Sequence, residues 1–249
     1  MIKNVSAVII VKNGADTLKE TLDSLDQFQE IVLYDNGSTD DTLDIASSYR
    51  NVSVHIGEFV GFGRTKQNAV NCATNEWVFS LDADESAAPS LVEEIRVWDE
   101  LPTVVGEIRR DNYFMGALVD KGGWGADWLV RLFNRQHYNF NDCDVHESVA
   151  VGRAVKRIRI SSPIHHNAVQ DIGQFLVKVN RYSEIRRLTQ TKTYPPSVIL
   201  IKALWRFIQS YFLRGGFLCG WRGMVIAWSN ANGVFFKYMK IYADKNRGA

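Results

Sequence analysis

The chain opens with short apolar runs separated by longer segments of helical period. Residues 77–81 (WVFSL) read as a strand buried on both faces and the β-branched Val5–Val11 (VSAVIIV) as a buried first strand; residues 30–34 (EIVLY) form a second strand and Val52–Ile56 a weaker third. Between the first two, Leu18, Leu22 and Leu25 recur at helical spacing, with Asp16 or Thr17 placed to cap that helix. Asn36-Gly37 makes a tight turn, and Ser38, Thr39 or Asp40 starts a second helix running through Ala46 and Tyr49. Residues 64–74 form a third. The order β-α-β-α-β-α-β predicts a parallel sheet joined by right-handed crossovers. From residue 90 the pattern turns to α+β. A helix is expected over 90–98, strands over 104–114, 128–134, 155–160 and 164–166, and a loop at 122–125. A helix over 171–188 follows, with Phe175, Leu176, Val179, Tyr182 and Ile185 on its apolar side.

In an open α/β sheet, ligands bind at the carboxyl ends of the strands. Those ends carry Lys12-Asn13, Asp35-Asn36 and Asp82-Ala83-Asp84, the last followed by Glu85. Alternating acids after a buried strand suit a hard divalent cation, and such a cation suits a phosphorylated ligand. Asp35 at the same edge either caps its own turn or hydrogen-bonds a nucleobase or ribose. Gly61-Phe62-Gly63-Arg64-Thr65-Lys66 lacks the third glycine of a dinucleotide fingerprint, which excludes a Rossmann dehydrogenase. Lys66 or Arg64, near the start of that helix, instead faces a diphosphate or lies on a solvated helix face. Further on, Asp142-Cys143-Asp144-Val145-His146-Glu147 places acids beside a His-Glu pair.

Composition changes the picture only through its distribution. Residues 1–177 hold 16 Lys/Arg against 26 Asp/Glu, a net of −10, whereas residues 178–249 hold 13 against 2, a net of +11. A basic tail of that kind predicts an anionic partner, membrane headgroups or nucleic acid, and nothing else in the chain reads bases. Three cysteines with no C-x-x-C pair predict a reducing, cytoplasmic setting and no structural zinc. Within the tail, Lys202, Arg206 and Ser210 share one narrow helical face of residues 197–213. Ile199, Ile201, Leu204, Trp205, Ile208, Tyr211 and Phe212 are expected on the exposed remainder. This helix is too short and too charged to span a bilayer but suited to lie in its surface. Packing onto the catalytic core, or against a second copy in a homo-dimer, is the alternative.

VSAVIIVKNGADTLKETLDSL, EIVLYDNGSTDDT and WVFSLDADE together resemble the opening of family 2 glycosyltransferases with the GT-A fold. RLFNR, DVHESV, the IHH run with KVNRYSEI after it, and LRGGFLCGWRGMVIAW narrow the resemblance to the branch containing bacterial lipopolysaccharide-core β-1,4-glucosyltransferases. It implies a GT-A, Rossmann-like fold with a mostly parallel central sheet. Residues 1–190 would form the catalytic domain, and 191–249 a helical, basic-amphipathic extension. The implied reaction moves a sugar, glucose in this branch, from a UDP-sugar to a lipid-linked saccharide acceptor at the inner face of the cytoplasmic membrane. By position, Asp35 would contact uracil or ribose, Asp82 the ribose and sugar, and Asp84 a Mg²⁺ or Mn²⁺ on the diphosphate. Lys12 and Lys66 would line the nucleotide-sugar site. Glu147 would be the base, with Asp144 and His146 as nearby rivals. His166 would be a further metal ligand, although the family pattern His-Tyr here reads His166-Asn167.

The chemistry asks for these residue types independently. Expelling a dianionic diphosphate calls for a carboxylate-held cation, and attack from the opposite face calls for one base. Glycoside hydrolysis would also use two carboxylates but leaves Asp35 and the D-x-D unexplained. A sugar-nucleotide pyrophosphorylase would carry a Gly-rich basic loop after the first strand, which VKNGADT is not. A non-catalytic membrane-bound nucleotide-sugar adaptor would have no need of both Asp82 and Asp84.

Overall fold

The computed structural model describes residues 1–125, 127–142, 147–189 and 192–246. It divides into two compact units: unit 1, Met1–Asp111 with Asp127–His166, and unit 2, Asn112–Ala126 with Asn167–Ala249.

Unit 1 is built on the strands β1 (Val5–Val11), β2 (Ile31–Asp35), β3 (Val52–Ile56) and β4 (Trp77–Asp82), paired in parallel in the order β3-β2-β1-β4. Their crossovers are the helices α1 (Ala15–Asp23), α2 (Thr42–Ser47) and α3 (Phe62–Asn71). The sheet continues antiparallel from β4 into β8 (Asp127–Asn134) and from β8 into β6 (Val105–Phe114); β9 (Arg157–Val169) follows beside β6, and the short β5 (Glu85–Ala87), antiparallel to β9, ends the sheet. A two-residue strand, β7 (Ala117–Leu118), pairs with the end of β6. The fold class is α/β, as the apolar runs predict. The fully buried strands β1, β2 and β4 have helices on both sides: Leu18, Leu22, Leu91 and Ile95 pack on one face with Phe28 and Phe79, and Ala69 and Val70 on the other with Val8, Val32 and Phe133. Helix α4 (Pro89–Arg96) supplies Leu91 and Ile95.

The expected caps are supplied differently. Neither Asp16 nor Thr17 caps α1, whose N-cap is Gly14 with no side-chain bond of its own. Its first N–H groups are met from the next loop, Gly14 N–H by the Thr42 hydroxyl at 2.9 Å and Ala15 N–H by Asp40 at 3.1 Å. Asn13, at φ 53°, accepts from Thr39 N–H at 2.8 Å. These bonds tie the turn after β1 to the turn after β2. Helix α2 likewise starts at Thr42, later than Ser38 or Thr39, because Asp40 turns its carboxylate onto Thr42.

Unit 2 is organised around Phe114, whose ring meets Trp124, Phe175 and Trp221 with centroids 5.5–6.0 Å apart. Helix α5 (Ile172–Thr189) packs on the long α7 (Gly220–Lys245), as does α6 (Pro196–Ile208). On its C-terminal side unit 2 begins at Asn167, because α5 shares its core with α7. Only part of the α5 stripe is covered: Phe175 is buried, whereas Leu176 and Tyr182 are exposed. A π-helical turn, Gln209–Leu213, and a 3₁₀ turn, Gly216–Cys219, connect α6 to α7. This connection depends on glycine. Gly215 has φ 68°, and a Cβ on Gly223 would stand 1.7 Å from the carbonyl oxygen of Gly216.

Because that obstacle is backbone, Gly223→Ala must displace the turn, an overpacking cost of about 1–3 kcal/mol or more. The melting midpoint is expected to fall by about 2–12 °C, which differential scanning calorimetry will measure. An unchanged midpoint would contradict the close approach.

Candidate active site

Strand register decides where the acids stand. Val11 lies opposite Asp35, and Ile10 opposite Asp82. The two acids therefore flank the carboxyl end of β1, with Lys12 exposed just beyond it. Asp35 is buried, and its carboxylate is taken up by its own turn: Oδ2 accepts from Gly37 N–H (2.9 Å) and Ser38 N–H (3.0 Å), and Oδ1 from the Ser38 hydroxyl (2.5 Å).

Asp82 stands in a line of alternating charges. Its Oδ1 is 2.6 Å from Lys66 Nζ, and its Oδ2 accepts from Arg131 Nη2 at 2.9 Å. Lys66 Nζ reaches Glu147 Oε1 at 2.8 Å on its other side. Arg131 Nη2 reaches Glu85 Oε1 at 2.7 Å, while Glu85 Oε2 accepts the Asp82 N–H at 3.0 Å. Arg110 continues the line from Glu85 (3.4 Å) to Asp127 (3.1 Å). Three members are almost wholly out of water: Lys66 is 4% exposed, Arg131 5% and Glu85 1%.

Burial alone would raise the Asp82 carboxyl, but the charges of Arg131 and then Lys66 outweigh it and hold that group well below the usual carboxylate range. Glu85 goes the other way. Burial raises it, the Arg131 charge opposes, and the Asp82 charge adds to the rise. The Arg131 guanidinium is held charged against its own desolvation by Asp82 and Glu85. Adjacent carboxylates are thus driven apart, with Asp82 firmly anionic at neutral pH.

Asp84 has a different neighbour. Strand β5 pairs antiparallel with β9, placing Glu85 opposite His166, and Asp84 Oδ2 lies 3.3 Å from His166 Nε2. The pair is a carboxylate and an imidazole, both half-buried at the sheet edge. Among the described residues, no three His, Cys, Asp or Glu side chains gather as a metal site. Two donors do not hold a divalent cation alone, but they fit one that shares its shell with phosphate oxygens and water.

The structure therefore brings together Lys66, Asp82 and Glu147, and separately Asp84 and His166. Arg64 points outward, 4.0 Å from Asp142. Asp144 and His146 lie outside the described residues. Sequence reasoning did not reach Arg131, Arg110 or the structural part played by Glu85. The signal was available in WLVRLFN, where a guanidinium interrupts a buried strand and requires a carboxylate partner.

Residues 6–158 match the family model described as Glycosyl transferase family 2. The lipopolysaccharide core biosynthesis glycosyltransferase LpsC of Rhizobium meliloti is 27% identical over 250 residues, covering 95% of this chain and 91% of that protein. An uncharacterized glycosyltransferase of Rickettsia typhi is 25% identical over 244 residues, covering 90% of this chain and 81% of its own. Among solved structures, S. aureus TarS 1–349 in complex with UDP covers 99% of this chain and 92% of that one, at a TM-score of 0.42 and 13% identity. That score is below one half, and the family assignment rests on the sequence matches.

Arg131→Met removes the closest cation of a buried glutamate, so a loss of about 3–5 kcal/mol is expected in urea denaturation at neutral pH. The sign of its pH dependence follows from Glu85. A carboxyl raised in the folded state binds its proton more tightly there than in the unfolded chain, so stability falls as pH rises through that range. Losing Arg131 raises the group further, and the deficit of the variant should shrink as the pH is lowered from neutral toward 5. A loss under about 1 kcal/mol, or a deficit growing over that interval, would contradict the arrangement.

Proposed function

Because the chain belongs to glycosyl transferase family 2, we propose that it is a metal-dependent, inverting hexosyltransferase. It moves a sugar, glucose in our reading, from a UDP-sugar to a lipopolysaccharide inner-core or similar lipid-linked saccharide. The acceptor class is supported by the Rhizobium meliloti relative, a lipopolysaccharide core biosynthesis glycosyltransferase. Such acceptors place the enzyme peripherally on the inner face of the cytoplasmic membrane. The observation that carries the reading is the position of Lys66, one buried ammonium in contact with both Asp82 at the end of β4 and the distant Glu147.

In this reading Asp84, with His166, holds a Mg²⁺ or Mn²⁺, which when bound neutralises the departing diphosphate. The remaining roles fall to the chain itself. Asp82 stays anionic and faces the ribose and sugar, while Asp35 and Lys12 border the nucleotide at the end of β1. Glu147 takes the proton from the attacking acceptor hydroxyl. Lys66 fixes Glu147 on the side of Asp82, so the base and the donor site are held in register before either substrate arrives. One base and one displacement give inversion at the anomeric carbon.

A screen of UDP-, GDP- and dTDP-sugars for slow hydrolysis, with Mg²⁺ or Mn²⁺ and no acceptor, tests the donor. Hydrolysis of a UDP-sugar that stops with EDTA and with Asp84→Ala is expected. Glu147→Gln should keep donor affinity while lowering transfer about 10²–10⁴-fold. An Asp84→Ala protein of near wild-type turnover would overturn the metal role. Weakened donor binding with unchanged turnover in Glu147→Gln would move that residue from the acceptor to the donor side.

A further inference from the structure

The segment from α6 to the start of α7 has two faces of opposite character. Each residue of an α-helix advances about 100°, so with Ile199 at zero, Ala203 lies at about 40° and both are buried. Ile201, Leu204, Trp205 and Ile208 fall between about 140° and 240°, diametrically opposite, and all four are exposed. Lys202 and Arg206, both half-buried, lie at about 300° and 340°, on one side between the exposed stripe and the buried face. The sequence expectation is corrected in two places. Ile199 packs inward, and Ser210 is buried, donating to the Gly122 carbonyl at 2.6 Å and accepting from Asn230 at 3.0 Å. The inward face completes unit 2 and leaves the outward one uncovered.

That outward face is continuous across the helix connection. Trp228 meets Phe207 at 5.7 Å between ring centroids, Phe207 stacks on Tyr211 at 5.5 Å, and Tyr211 meets Phe212 and Phe217 at 5.0 and 6.4 Å. The ends of this ladder, Trp228, Phe212 and Phe217, are each at least half exposed. Between Leu200 and Trp228, twelve large apolar side chains are exposed. This patch is too extensive to be scattered surface residues and calls for a partner.

We propose that this face docks on an anionic lipid bilayer, the aromatic ladder and the Ile201–Trp205 stripe entering the interface while the basic residues meet the headgroups. Charge decides between a bilayer and a second copy of the chain. Residues 196–249 carry eight Lys/Arg and one Asp/Glu, so a second copy of this segment is opposed by like charge, whereas anionic headgroups neutralise it. Tryptophan and tyrosine favour the headgroup level of a membrane. No described helix is long and apolar enough to cross one, so the segment lies on the surface as an amphipathic element. The proposal deepens the reading of a lipid-linked acceptor and rests on it only for what the docking is for.

Flotation of the full chain with phosphatidylcholine vesicles, with and without phosphatidylglycerol, tests it. Two basic side chains at a charged surface correspond to more than about tenfold in binding, so at least that preference for the anionic vesicles is expected. Trp205→Glu with Leu218→Glu, both more than half exposed, should weaken binding at least about tenfold and leave donor hydrolysis and far-UV circular dichroism unchanged. Equal binding to the two vesicle types would overturn the lipid assignment, as would a double variant that floats like the wild type. Self-association of the wild type without vesicle binding would assign the face to a second copy. Vesicle binding by a protein that hydrolyses no nucleotide sugar would uphold this inference and refute the transferase reading alone.

Discussion

Lys66, Arg131 and Glu85 are charge-bearing side chains taken almost completely out of water, and each is tolerable only because a group of opposite sign is within hydrogen-bond distance. Desolvation costs several kcal/mol per ion, and pairing recovers it only with good geometry at every link. The row Glu147–Lys66–Asp82–Arg131–Glu85 therefore stands or falls as a unit. It draws on α3, β4, β8, the start of β5 and the segment after residue 146, so satisfying one electrostatic constraint also fixes the carboxyl edge of the sheet. Such a row is a poor way to gain stability, since well-packed apolar residues would serve as well or better. Its value lies in direction: Asp82 is kept anionic, and a glutamate remote in sequence is held beside it.

Much of this was legible from the residues. The strands β1, β2 and β4 are two-sided apolar runs with turn residues at their ends, and such runs have few other ways to fold. Once the parallel order follows, Asp35 and Asp82 must share an edge. What escaped the sequence is what depends on pairing between remote segments. That β5 lies against β9, bringing Asp84 to His166, leaves no periodicity in either strand. The caps of α1 were misplaced for the same reason, because Asp40 and Thr42 reach it from another loop. Lys66 was legible as a cation near the site, but not as one already engaged by two carboxylates.

The two units divide the work by charge and surface. Unit 1 gathers the acids and the buried cations that order them, the requirements of a site for a nucleotide diphosphate with its cation. Unit 2 covers one face of its helices with its own core and leaves an aromatic face on a segment rich in Lys and Arg. In the tail, amphipathicity alone told that one face would be polar and another apolar. Only the packing of Ile199, Ala203 and Ser210 tells which apolar residues remain outside.

The central claim is that the acidic edge ordered by Lys66 and Arg131 receives a nucleotide diphosphate together with a divalent cation. Calorimetric titration of the protein with UDP, in the presence and absence of Mn²⁺, tests it most directly. The account predicts that Mn²⁺ tightens UDP binding by at least about tenfold, since each ligand supplies what the other lacks at Asp84 and His166. UDP affinity unchanged by the cation would contradict it.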